Sequence, residues 1–365
     1  MGARIAQARA RAELTQAELA AAVSLDRSSL AKVEGGSRRV SALELARIAD
    51  VLGERIEWFV TDPPPAIVAH RNLQEPGTSS PAIDRAVERV ARSVEFALEH
   101  DEEWALPAPS PLPRPDTVDQ VERSALQARA LLGLRGVEPF LDPSAQVAGL
   151  GLLVFSIDLG QEAADAATTL LHRGGVAVVN GRRRVGRRRL AVAHELGHYL
   201  FADDYTVDWR IAEQDDDAAW ESRLDRFARA VLLPAEGLRS AWREALERHH
   251  DLRGAAVVTA SGFRVDMSTL SRRLYELALV GRDEADLIRS VRTRKADIVE
   301  LNLVVADELA PPSLARPYEE AVLRLYRRET VSAARALDLL LDTWTEEDLP
   351  SLPPLPGSAI WQFVH

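Results

Sequence analysis

The sequence predicts a multidomain chain with an all-α head, a central α+β domain holding a small sheet, and a mainly α C-terminal region. Three observations predict it. Short, well-capped helices fill residues 1–60; two β-branched runs bounded by glycine precede a helix reading AVAHELGHYLF at residues 191–201; and proline-rich seams separate the parts. Proline fixes φ and removes a backbone donor, so it disfavours continued helix or sheet. At 365 residues, 46% hydrophobic and 28% charged, the chain has material for more than one core.

Composition narrows the function classes. No apolar run approaches the roughly 20 residues of a membrane helix, and the opening MGARIAQARARAELTQ lacks the apolar centre of a secretory signal. The expected compartment is the cytoplasm, with no membrane partner. The absence of cysteine removes disulfides, thiolate nucleophiles and Cys-based zinc sites, so a metal would need His, Asp or Glu. A net charge of −11 argues against nucleic-acid binding by the whole chain. Residues 1–55, however, carry nine Lys or Arg against seven Asp or Glu, a net +2.

Residues 2–53 parse into ARIAQARARAE, TQAELAAAV, SLDRSSLAKVEGG and SALELARIADVLG. Thr15 and Ser41 suit N-caps, with Glu18 and Glu44 three residues on to complete capping boxes, and Gly35, Gly36 and Gly53 supply stops. Only a few residues around 23–25 separate the second helix from the third. That is the layout of a helix-turn-helix, whose second helix enters the major groove. Residues 14–53 resemble the Xre (lambda-repressor-like) family over nearly their whole length. The resemblance implies that the helix starting at Thr15 and Gln16 meets the DNA backbone and the next one reads bases. Gln16, Arg27, Ser28, Ser29 and Lys32 are then the candidate contacts to double-stranded DNA, Arg27 being able to pair bidentately with guanine. Asp26 and Glu34 make the reading helix unusually acidic, and the bland alternative is a small bundle used for homodimerisation.

Residues 62–81 (DPPPAIVAHRNLQEPGTSSP) and 106–116 (LPAPSPLPRPD) read as extended linkers. Between them, Ile83, Val87, Val90, Val94 and Leu98 recur at helical spacing, which predicts a connecting helix. VDQVERSALQARALLGL predicts another helix, with Asp116 suited to its N-cap. GLGLLVFSID and GGVAVVNGRR, at 149–158 and 174–183, read as strands bracketing a short Ala-rich helix. The expected division is 1–60 head, 61–116 linkers with a connecting helix, 117–280 α+β domain, and 281–365 mainly helical.

In AVAHELGHYLF, His194 and His198 lie four residues apart and project from one helix face, so both Nε2 atoms can reach one cation. Glu195, one residue on, can take a proton from water. Leu190, Ala193, Leu196, Gly197 and Leu200 surround the motif as in a buried helix. A glycine at 197 costs about 1 kcal/mol inside a helix, which predicts close approach by another element. Two ligands need a third. A metzincin pattern would need Gly at 201, His at 204 and a later Met-turn; the chain has Phe201, Asp204 and only Met1 and Met267. A thermolysin-like (gluzincin-type) pattern needs a glutamate on a later helix, and AAWESRLDRFARAVLLPAE supplies Glu221, with Asp225 one turn on to orient a histidine. Asp204 and the run Asp215, Asp216, Asp217 rank below it.

RRRLAVAHELGHYLF followed by ESRLDRFARAVLLP is similar to the ImmA/IrrE metallopeptidase family, and SGFRVDMSTLSRRLYELALV is similar to its later helical unit. The resemblance spans about residues 117–280. It implies a zincin-like domain with Zn2+ on His194, His198 and Glu221 and with Glu195 as general base. Leu224 and Asp225 stand where the family usually has Ala-Asn; Asp225 can still accept from a ligand histidine. Arg223 stands where a second glutamate is frequent and could compete for Glu221. Tyr199, Tyr205, His172 and His249 are candidates to stabilise an oxyanion. The arginines of GRRRVGRRRL (181–190) read as a solvated turn, or alternatively as a guide for acidic peptides. Together these features imply a DNA-binding regulatory endopeptidase that cleaves a repressor or antitoxin-like protein. The alternative is a transcription regulator whose zinc domain is a non-hydrolytic sensor or dimerisation body.

Overall fold

The computed structural model describes residues 1–12, 14–54, 56–60, 67–71, 81–108, 111–161, 163–201, 214–303 and 307–352. They form two units, Met1–Pro64 and Pro65–His365.

The first unit is helical: α1 (Gly2–Arg11), α2 (Gln16–Ala22), α3 (Arg27–Glu34), α4 (Ala42–Leu52) and α5 (Ile56–Val60). Thr15 and Ser41 cap α2 and α4 in reciprocal capping boxes with Glu18 and Glu44, and Gly53 ends α4 in the left-handed conformation. Asp26 caps α3. Ile5, Leu19, Leu30, Val33, Ile48 and Phe59 close the core.

The second unit is built on a four-stranded sheet. Its elements run β1 (Ile67–Arg71), α6 (Pro81–His100), α7 (Val118–Leu131), α8 (Pro143–Ala148), β2 (Leu152–Ile157), β3 (Ala166–Leu170), β4 (Gly175–Asn180), α9 (Val185–Leu200) and α10 (Gln214–Leu232). Helices follow: α11 (Ala235–His249), α12 (Leu252–Phe263), α13 (Met267–Glu276), α14 (Arg282–Ser290), α15 (Lys295–Glu300), α16 (Arg316–Arg327) and α17 (Ala333–Leu339). The strand order is β1-β3-β4-β2, with β2 and β4 parallel and the other pairs antiparallel. Successive strand residues face opposite sides, so each face holds its own core. Val154, Ala166, Ala177 and Val179 face α7, α9 and α10, while Phe155, Ala167, Val176 and Val178 face α6 and α16.

Several expectations change here. The Ala-rich segment between the two predicted strands is strand β3, not a helix: tertiary pairing to β4 at Ala166–Leu170 overrides alanine's helix propensity, and Thr168 and Thr169 suit a strand. Thr117, not Asp116, caps α7; its side chain accepts from the Gln120 backbone N–H. The helix expected as a connector packs on the sheet, with Ile83, Val87, Val90 and Val94 fully buried. Part of 62–81 is strand β1. The second seam is docked too, Leu106 being buried and the Leu112 N–H donating to the Leu200 carbonyl at 2.7 Å. The C-terminal region closes the α6 face: Ser313 bridges Ser156 of β2, Tyr318 packs on Phe155, and Arg324 pairs with the fully buried Asp101 at 2.8 Å. Among the described residues, no helix is long and apolar enough to cross a membrane.

Candidate metal centre and nucleic-acid interface

Helix α9 lies between the sheet and α10, and every residue from Arg188 to Leu200 is buried. A helix buried on all sides needs small residues where its neighbours come closest. Gly197 is such a place: a Cβ there would stand 2.8 Å from Leu224 Cδ2 and 3.1 Å from Phe227 Cδ1, both on α10. Without that Cβ the two helices meet closely at a position next to His198 on α9.

That contact brings Glu221 to the histidines. His194 Nε2 lies 3.1 Å from His198 Nε2 and 3.1 Å from Glu221 Oε2, and His198 Nε2 lies 3.5 Å from Glu221 Oε1. Three donors on one tetrahedral ion at about 2.0–2.1 Å would be spaced by about 3.3 Å, so the donor set fits a single divalent cation. Among the described residues this is the group of three or more metal-ligating side chains that converges, all within 4.8 Å. Both histidines are buried, while the Glu221 side chain is 35% exposed, so the cluster opens toward solvent on the α10 side. Burial works to raise the Glu221 carboxyl, but its bond to His194 and the nearby His198 outweigh it and hold the group below its ordinary value.

Asp225 stands one turn beyond Glu221, its Oδ1 3.0 Å from His194 Nδ1. With the carboxylate accepting from Nδ1–H, the Nε2 lone pair faces the cluster. Glu195 is fully buried, and the Thr168 hydroxyl of β3 donates to its Oε2 at 2.6 Å. Thr168 is a site residue that sequence reasoning misses, because its Ala-rich segment favours helix locally.

The remaining expectations sort by position. Arg223 forms no ion pair with Glu221; residues two apart on a helix do not share a face. Tyr199 is spent elsewhere, donating to the Leu150 carbonyl at 2.9 Å, and burial pushes its hydroxyl up to about 12. His172 is exposed in the β3–β4 turn, near Glu95 of α6 and across the sheet from α9; His249 ends α11. Neither belongs to the cluster. Asp204 and Tyr205 lie outside the described residues, and Asp215, Asp216 and Asp217 are in the first turn of α10.

The arginine run is no solvated turn throughout. Arg188 and Arg189 are buried and pair with Asp307 and Glu308, Arg189 also donating to the Phe140 carbonyl. Arg183 and Arg187 both engage the buried Asp165, at 2.6 and 2.9 Å. Burying guanidinium groups requires such partners, which the chain supplies from far away in sequence.

In the first unit α2 and α3 form the two helices of the helix-turn-helix. Arg27 and Lys32 are exposed on α3. The other three candidates already have partners. Ser28 and Ser29 donate their hydroxyls to Asp26 at 2.6 and 2.7 Å, bonds that hold the Asp26 carboxyl far below its usual range, and Gln16 donates to Glu34 at 2.7 Å. Glu34 also takes a two-pronged bond from Arg9 at 2.6 and 3.0 Å, so its charge is matched locally.

Comparison with known proteins agrees with both parts. Residues 147–275 match the peptidase family described as the IrrE N-terminal-like domain, and residues 5–59 match the helix-turn-helix family. No curated protein and no solved structure matches the chain.

Proposed function

We propose that a chain joining a helix-turn-helix unit to an IrrE N-terminal-like peptidase domain is a DNA-binding regulatory zinc endopeptidase, one that cleaves a repressor or antitoxin-like protein to control transcription or a stress response. The observation that carries this reading is the convergence of His194, His198 and Glu221 within 4.8 Å beside the buried Glu195.

His194, His198 and Glu221 would hold the ion, and two imidazoles with one carboxylate suit zinc with a position left open. When bound, such an ion supplies a Lewis acid for the scissile carbonyl and lowers the pKa of a water. Glu195 takes the proton from the attacking water on its carboxylate and returns it to the leaving amine. Thr168 fixes the direction of that carboxylate by donating to Oε2. Asp225 holds the His194 ring and its tautomer. On the head, Arg27 and Lys32 supply exposed cations for phosphate or base edges.

Profiling of new protein N-termini in cells expressing the wild type or Glu195→Gln tests the reading. The wild type should generate cleavages in a DNA-binding repressor or antitoxin that Glu195→Gln does not. Identical sets of N-termini would leave a non-hydrolytic regulator as the function.

A further inference from the structure

Strand β1 lies at the sheet edge beside Glu195. Residues 67–71 pair antiparallel with β3, and Ala69 stands directly opposite Thr168, the residue whose hydroxyl holds Glu195. Helix α9, which carries Glu195 and both histidines, packs against β1 as well as β3. An extended polypeptide on this edge therefore has a residue one side chain away from the proposed base.

The pairing of β1 is less regular than that of its neighbour. β4 pairs in unbroken register with β3 from Ala166 to Leu170, whereas β1 pairs with Ala166 to Thr169 and its register is irregular between Ile67 and Ala69. In sequence, prolines at 63, 64, 65 and 76 bracket it, and proline cannot extend the ladder. Without β1, β3 would present a row of backbone N–H and C=O groups, the template on which extended peptides add as a strand.

We propose that β1 is a resident occupant of the substrate edge: residues 67–71 sit on β3 where an extended substrate polypeptide binds antiparallel, and they must leave before it can. The identity of the displaced site as a substrate edge rests on the peptidase reading above; the occupancy itself does not. The segment thus acts as an internal competitor, lowering the apparent affinity for substrate by the fraction of time the edge is free.

Two full-length variants test this. In the first, residues 67–71 are replaced by Gly and Ser at unchanged length. In the second, Arg71→Cys with Ala166→Cys places thiols at opposite positions of the ladder in a chain with no other cysteine, a spacing a disulfide can bridge. The probes are a fluorescein-labelled peptide of residues 65–73, read by anisotropy, and hydrolysis of unfolded casein. The Gly/Ser variant should bind the peptide at least about tenfold tighter than wild type. The oxidised cysteine variant should neither bind it nor hydrolyse casein until a phosphine reductant restores both. Cross-linked protein that binds peptide as well as its reduced form overturns the proposal, as does unchanged affinity in a zinc-replete Gly/Ser variant. Should the Gly/Ser variant lose zinc, the cross-linked pair alone decides. Absence of casein hydrolysis in every form, with the binding differences intact, would instead sink the peptidase reading and leave the occupancy standing.

Discussion

The Asp225 carboxylate lies 3.0 Å from Nδ1 of His194, and Glu221, one turn earlier on α10, reaches Nε2 of the same ring at 3.1 Å. One helix thus carries both a proposed metal donor and the carboxylate that orients the His194 ring. Removing a partner of a ligand histidine typically costs about 10–100-fold in metal affinity. Chelator competition should show Asp225→Ala weakened by about that factor, and Glu221→Ala weakened further. Zinc held by Glu221→Ala as tightly as by wild type would move the third ligand to Asp204 or to the acidic run at 215–217.

Gly197 predicts a stability effect with a metal readout. A branched side chain there meets Leu224 and Phe227, both fully buried, so α9 and α10 would be forced apart. Overpacking of this kind costs roughly 1–3 kcal/mol. Urea unfolding of Gly197→Val should show that loss together with weaker zinc binding. Wild-type values for both would mean that the helices do not depend on this contact.

How legible the site was depends on where each residue's partner lies. His194, Glu195 and His198 share one helix, and Glu221 with Asp225 another, so helical spacing groups the residues within each helix, while the resemblance to the ImmA/IrrE family is what joins the two sets. Gly197 was legible as a close approach because glycine is costly inside a helix. Thr168 was not, because its Ala-rich segment favours helix locally and becomes a strand only through pairing on both edges. Arg188 and Arg189 looked solvated because the carboxylates that neutralise them, Asp307 and Glu308, are 119 residues away. β1 was hidden for a similar reason: a short apolar run among prolines has no strand signature until β3 offers its edge.

A separate acid-sensitive contact ties α12 to α15. Arg253 bonds both carboxylate oxygens of Asp297, at 2.9 and 2.7 Å, and the Arg294 N–H adds a third bond at 2.6 Å, holding the group down to about 2. Because the folded value lies below the unfolded value of about 3.9, the contribution is present above that pH and is lost as pH falls toward 2. Asp297→Asn should therefore lower the urea midpoint of the metal-free protein above pH 4, with the gap closing toward pH 2. A gap independent of pH would assign the effect to packing instead.

On the head, cationic contacts should appear as salt dependence. Arg27→Ala with Lys32→Ala should weaken binding to double-stranded DNA and reduce the slope of log K against log salt by about 1–2. Ser28→Ala should change the slope little, since that hydroxyl is engaged by Asp26. Deleting residues 1–60 should abolish DNA binding while leaving zinc content and hydrolysis intact, because the proposed ligands and base lie between 194 and 221. Loss of hydrolysis in that deletion would make the head part of the catalytic machinery.

The most direct test measures zinc content and casein hydrolysis in the same preparations of wild type, His194→Ala and Glu195→Gln. Wild type should carry about one zinc per chain and hydrolyse casein, His194→Ala should lose both, and Glu195→Gln should keep the zinc and lose turnover. A metal-free wild type purified without chelator, or undiminished hydrolysis by Glu195→Gln, would contradict the account.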